Sequence, residues 1–142
     1  MATGQGTTWV VVADAHHARV LEVEDAGLVP RPRGTLRPEG AHGEHHGPER
    51  GWSRGADPHP LEDERRFAHQ IVQALEHGLA ENHFRHLVLV AAPRMLGILR
   101  ESLSRGLADR LRASTHADWG HVPDRELAEL VRPLVQIWPE RG

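Results

Sequence analysis

The sequence predicts one α/β domain, a mixed sheet of about five strands with helices on its faces. Three observations lead there. Trp9–Ala13 is a continuous apolar run, and after the short segment Asp14-Ala15-His16-His17 the chain alternates again through Ala18–Val23. That pattern reads as two strands joined in an antiparallel hairpin. Leu87–Ala91 is a second apolar run that leads directly into Pro93 and a helical stripe of Leu96, Leu99, Leu103 and Leu107, a strand feeding a helix. Finally, strands and helices alternate in the second half of the chain, and such alternation favours parallel pairing with helical crossovers.

The remaining elements follow in order. Leu28–Leu36 is a third strand, demoted to an edge by Pro30 and Pro32, which cannot donate to a ladder. Residues 40–60 lack apolar periodicity and are rich in Gly, His and Pro, as in a mobile loop. Leu61–Glu81 is a helix whose stripe is Phe67, Ile71, Ala74, Leu75 and Leu79, and Glu62, Asp63 and Glu64 sit in its first turn, where the helix dipole favours acids. Pro93–Leu111 is expected as one long helix and Arg112–Ala117 as a last strand. Pro123 opens a final helix with Leu127, Leu130 and Val131 inward, and Pro133 ends or kinks it.

Composition narrows the function classes. At 142 residues the chain is long enough for one genuine core. It has no cysteine, which excludes disulfides, thiolate metal sites and a cysteine nucleophile. All 17 basic residues are Arg, so Schiff-base and P-loop lysine chemistry is absent. The net charge of −3 disfavours strong autonomous binding to nucleic acid. The charge is uneven: residues 28–56 hold five Arg and three Glu, and residues 57–85 hold six acids and three Arg. No apolar run reaches the length of a membrane span, and the N-terminus lacks a basic region before its apolar part. A cytoplasmic location and no membrane partner are expected.

Four segments carry a resemblance: Trp9–Val23, Leu61–Ala68, Val88–Arg100 and His116–Leu127. Together they resemble the bacterial family named for attachment to host cells, which is similar to the middle domain of archaeal and eukaryotic peptide-release factors. That resemblance implies a ribonuclease H-like arrangement of the sheet and a distant link to translation, with ribosome, tRNA or other RNA as partner. The release-factor chemistry resides in a loop bearing Gly-Gly-Gln. The corresponding residues here, Gly40–Pro60, contain neither that triplet nor any Gln, so peptide release is not expected.

The candidate residues fall into three groups. Arg94 lies in the first turn of a helix that starts at a strand's carboxyl end, where free N–H groups and a guanidinium can meet an anion. The anion is a ligand or an internal carboxylate, with Asp14 or Asp118 expected as the nearest. His121 is a candidate contact beside Arg94, and Asp118 is expected to organise the turn at Gly120. In the Gly-rich segment, Arg50, Trp52 and Arg54 can contact phosphate and stack on a base. His42, His45 and His46 can bind zinc or nickel weakly; no cofactor is otherwise expected.

Competing readings are a metal-dependent hydrolase or nuclease, and a protein-interaction module that affects attachment indirectly. A two-metal nuclease needs clustered carboxylates. Asp14 and one of Glu62, Asp63 or Glu64 are available, but the central strand ends in Ala91-Ala92-Pro93-Arg94 and brings none. None of Ser102, Ser104 and Ser114 lies in a G-x-S-x-G elbow. A non-catalytic binding module is the expected function.

Overall fold

A computed structural model describes residues 6–24, 29–39 and 60–136. The strands are β1 (Thr7–Ala13), β2 (Ala18–Glu24), β3 (Arg31–Leu36), β4 (His86–Ala91) and β5 (Leu111–His116). The helices are α1 (Pro60–Ala80), α2 (Pro93–Ser102), α3 (Arg105–Arg110) and α4 (Asp124–Gln136). They form a mixed five-stranded sheet of order β3-β2-β1-β4-β5. The β1–β2 and β2–β3 pairs are antiparallel, whereas β1–β4 and β4–β5 are parallel.

β1 and β4 are central, and their apolar runs are explained by burial on both faces. On one face Trp9, Val11, Ala13, Leu87, Leu89 and Ala91 meet Phe67, Ile71 and Leu75 of α1 and Met95 and Leu99 of α2. On the other, Val10, Val12, Val88 and Val90 meet Leu127, Val131 and Val135 of α4. The two-residue period of a strand thus assigns alternate side chains to two cores.

Proline on the edge strand is accommodated by a bulge. Leu21 pairs with Pro32 and Val20 with Gly34, so Arg33 is the additional residue on β3. A bulge re-aims its side chain, and the Arg33 guanidinium lies 4.5 Å from the Trp9 ring centroid. The third strand begins at Arg31, and Val29 and Pro30 precede it; Leu28 lies outside the described residues.

The second half departs from expectation in two places, and Pro133 does not end the last helix. The long helix expected over Pro93–Leu111 is two helices, because Leu103 and Ser104 are extended. Ser104 Oγ accepts the Leu107 N–H at 3.2 Å and starts α3 afresh, an N-cap that competes with helix continuation. Leu130 is 39% exposed; the inner face of α4 runs through Leu127, Val131 and Val135 instead. Pro133 lies inside α4, which continues to Gln136. Beyond it Val135 still joins the core, and this burial offsets the lost helical hydrogen bond.

Candidate functional site

The parallel register brings three strand ends together: Ala13 pairs with Ala91, and Ala91 with His116. The segments that follow them, at Asp14, at Ala92–Arg94 and at Ala117–Val122, therefore share one end of the sheet. This is the edge at which open α/β sheets commonly bind ligands. The Ala117 N–H donates to the Ala91 carbonyl at 3.0 Å and fixes the exit from β5.

Asp14 and Arg19 hold this end in place. Asp14 Oδ1 accepts the backbone N–H groups of His16 and His17 at 2.8 and 2.9 Å, closing the hairpin. Its other oxygen abuts Gly120, where an added Cβ would collide with it. Arg19, on β2, reaches across to the segment between β5 and α4. Its Nη2 donates to the carbonyls of Trp119 (2.8 Å) and Gly120 (3.3 Å). Its Nη1 donates to the Val122 carbonyl and to Asp124 Oδ1 (3.2 Å). Only 13% of the Arg19 side chain is exposed. One guanidinium thereby satisfies several loop carbonyls, a task suited to its fixed fork of donors.

Arg94 has an internal partner, and it is neither Asp14 nor Asp118. Its Nε donates to Glu64 Oε1 at 2.5 Å. Glu64 lies in α1, with 10% of its side chain exposed against 61% for Arg94. The physical reason is the helical phase of α1. Glu64 shares a stripe with Phe67, Ala68 and Ile71 and is carried under that face, where a carboxylate needs a charged donor. Glu64 anchors Arg94 through one nitrogen, while most of the Arg94 side chain remains exposed. The N-cap, Ala92, makes no side-chain cap.

The other expected residues separate. Asp118 and His121 are exposed. Neither hydrogen-bonds with Arg94 or with any other described residue. The turn at Gly120 is organised by Asp14 and Arg19, not by Asp118. His42, His45, His46, Arg50, Trp52 and Arg54 lie outside the described residues. Among the described residues no group of three or more His, Asp or Glu could hold a metal ion. Of the candidate carboxylates, Glu64 is bound to Arg94, and Asp63 pairs with Arg66 at 3.0 Å. Among the described residues no helix is long and apolar enough to cross a membrane.

A mixed sheet of this kind is shared with larger proteins. A solved structure described as an archaeal protein superposes with a TM-score of 0.59 at 10% identity, over 93% of this chain and 34% of that one. The crystal structure of the archaeal translation termination factor aRF1 gives 0.51 at 8% identity, over 89% of this chain and 34% of that one. This chain thus spans about a third of the length of either. At such identity the likeness is one of fold. A search of curated proteins finds no match. The family model for proteins required for attachment to host cells matches residues 9–131, and the chain belongs to that family.

Proposed function

We propose that this protein is a non-catalytic, cytoplasmic binding module whose ligand is RNA, free or within the translation machinery, with Arg94 as its principal phosphate contact. The observation that carries the reading is the state of Arg94. It stands at the carboxyl end of a central strand, on the first turn of α2, and is tethered by Glu64 with 61% of its side chain exposed. A cation in a helix's first turn opposes the dipole. Its position is explained by two partners: the buried Glu64 beneath and an external anion at the helix N-terminus above. The release-factor likeness supports RNA over other anions. The absence of Gly-Gly-Gln from the sequence supports binding without peptide release. The ion pairs of Glu64 and Asp63 favour this over the metal-dependent nuclease reading.

Fluorescence anisotropy with labelled tRNA, measured across salt concentrations, tests this directly. Wild-type affinity should fall as salt rises. Arg94→Ala should weaken binding and lower the log–log salt slope by about 1, the share of one phosphate contact. An unchanged slope would remove Arg94 from the interface.

A further inference from the structure

A second feature lies away from the strand ends, on the β3 side of the α1 face, and is independent of the RNA reading. A cleft of about 200 Å³ opens between β3 and α1, lined by Trp9, Val20, Arg33, Gly34, Leu36 and Ala74, among others. Roughly 150 Å³ of apolar cavity suffices to hold benzene, so the space matches one ring or a short branched chain.

Two polar observations single it out from an ordinary packing defect. Trp9 is 5% exposed, yet its indole Nε1–H has no hydrogen-bond acceptor among the described residues. A buried donor without an acceptor is costly and calls for a specific explanation. The same ring carries the Arg33 guanidinium, 4.5 Å from its centroid. Arg33 Nη1 pairs with Glu22 at 3.0 Å, and both partners are about a third exposed. Its Nη2 meets His83 Nδ1 at 3.2 Å. The Glu22 contact is a surface pair of small worth that an incoming anion can replace. A stacked guanidinium therefore lies at the wall of an apolar cleft, over the Trp9 ring.

We propose that this cleft binds a small carboxylate with an aromatic or branched aliphatic body. The apolar body fills the space against Val20, Leu36 and Ala74. The carboxylate takes the donors that Arg33 presents at the cleft wall, a charge-assisted arrangement.

The test uses the full chain labelled with ¹⁵N, benzoate as the probe, and the indole N–H resonance of Trp9, assigned through its contacts to Phe84. Benzoate should move that resonance saturably, and benzylamine, with the same ring and the opposite charge, should not. Arg33→Gln should weaken benzoate by about tenfold, the loss expected for one charged hydrogen bond. Ala74→Phe should abolish the shift by filling the cleft; Gly34→Leu, built where no atom lies within 4 Å of the new Cβ, serves the same purpose if Ala74→Phe does not fold. No saturable shift at millimolar benzoate, an equal shift with benzylamine, or unchanged binding in Arg33→Gln would each overturn the proposal.

Discussion

Replacing Arg94 with Ala should destabilise the fold although Arg94 is mostly exposed, because the cost falls on its partner. Glu64 keeps 10% of its side chain exposed and relies on the Arg94 Nε–H at 2.5 Å. Exposed ion pairs contribute about 0–1 kcal/mol, and removing one partner of a fully buried pair costs roughly 3–5 kcal/mol. This pair has one end in each regime, which places Arg94→Ala at about 2 kcal/mol. For a domain of this size that corresponds to a fall of about 6–8 °C in Tm. Glu64→Leu removes the charge together with its need for a donor and should be near neutral, since matched apolar replacement of a buried polar group often is. The double variant should then resemble Glu64→Leu alone, giving a coupling of about 2 kcal/mol. Urea denaturation of the four proteins provides the cycle. A loss under about 0.5 kcal/mol for Arg94→Ala, the range of ordinary surface sites, or a coupling near zero would refute the reasoning.

Three further perturbations bear on the framework around this pair. Gly78→Ala should destabilise by about 1–3 kcal/mol despite better helix propensity, because its Cβ would lie 2.6 Å from the Trp9 ring; calorimetry would settle it, and a stabilised variant would contradict the packing. Arg19→Ala should cost about 2–4 kcal/mol through the loop carbonyls it leaves unpaired, and amide exchange of Val122, bonded to the Trp119 carbonyl, should accelerate; unchanged exchange would mean that Arg19 does not hold the loop. Gly120→Ala should cost about 1–2 kcal/mol by displacing the Asp14 carboxylate, and adding Asp14→Ala should relieve that clash; simple additivity in denaturant titrations would show that the two do not touch.

The parts of the fold legible in the sequence are those governed by local pattern. The runs at β1 and β4 and the alternation at β2 predicted strands within two residues of their observed bounds. Pro32 correctly marked β3 as an edge. The long helix failed at Ser104, where a side-chain oxygen bonding three residues ahead outweighed a leucine stripe that ran on without a break. At Leu130 the stripe was assigned to the wrong side: positions 127, 131 and 135 repeat every four residues and leave 130 outward. The site was less legible because its contacts are not local. Arg94 and Glu64 are 30 positions apart, and Arg19 and Trp119 are 100 apart. Only the sheet order brings them together. Two signals were nevertheless present. Glu64 falls three, four and seven residues before Phe67, Ala68 and Ile71, an acid on an apolar stripe. Arg19 shares the face of β2 that carries Leu21 and Val23 into the core with α4. A charge at an inward position requires a partner, and each of these two has one.

Co-sedimentation with ribosomes is the most direct measurement of the central claim that Arg94 serves an RNA-binding surface. Purified wild-type and Arg94→Ala proteins would be run with ribosomes through sucrose gradients at low and moderate salt, below the melting point of both. Natural domains have about 5–15 kcal/mol in reserve, so the variant remains folded after losing about 2 kcal/mol. The account predicts that wild-type protein travels with the ribosomal peaks at low salt, that salt or ribonuclease releases it, and that Arg94→Ala stays at the top of the gradient. Wild-type and variant protein sedimenting alike, whether both with the ribosomes or both without, would contradict it.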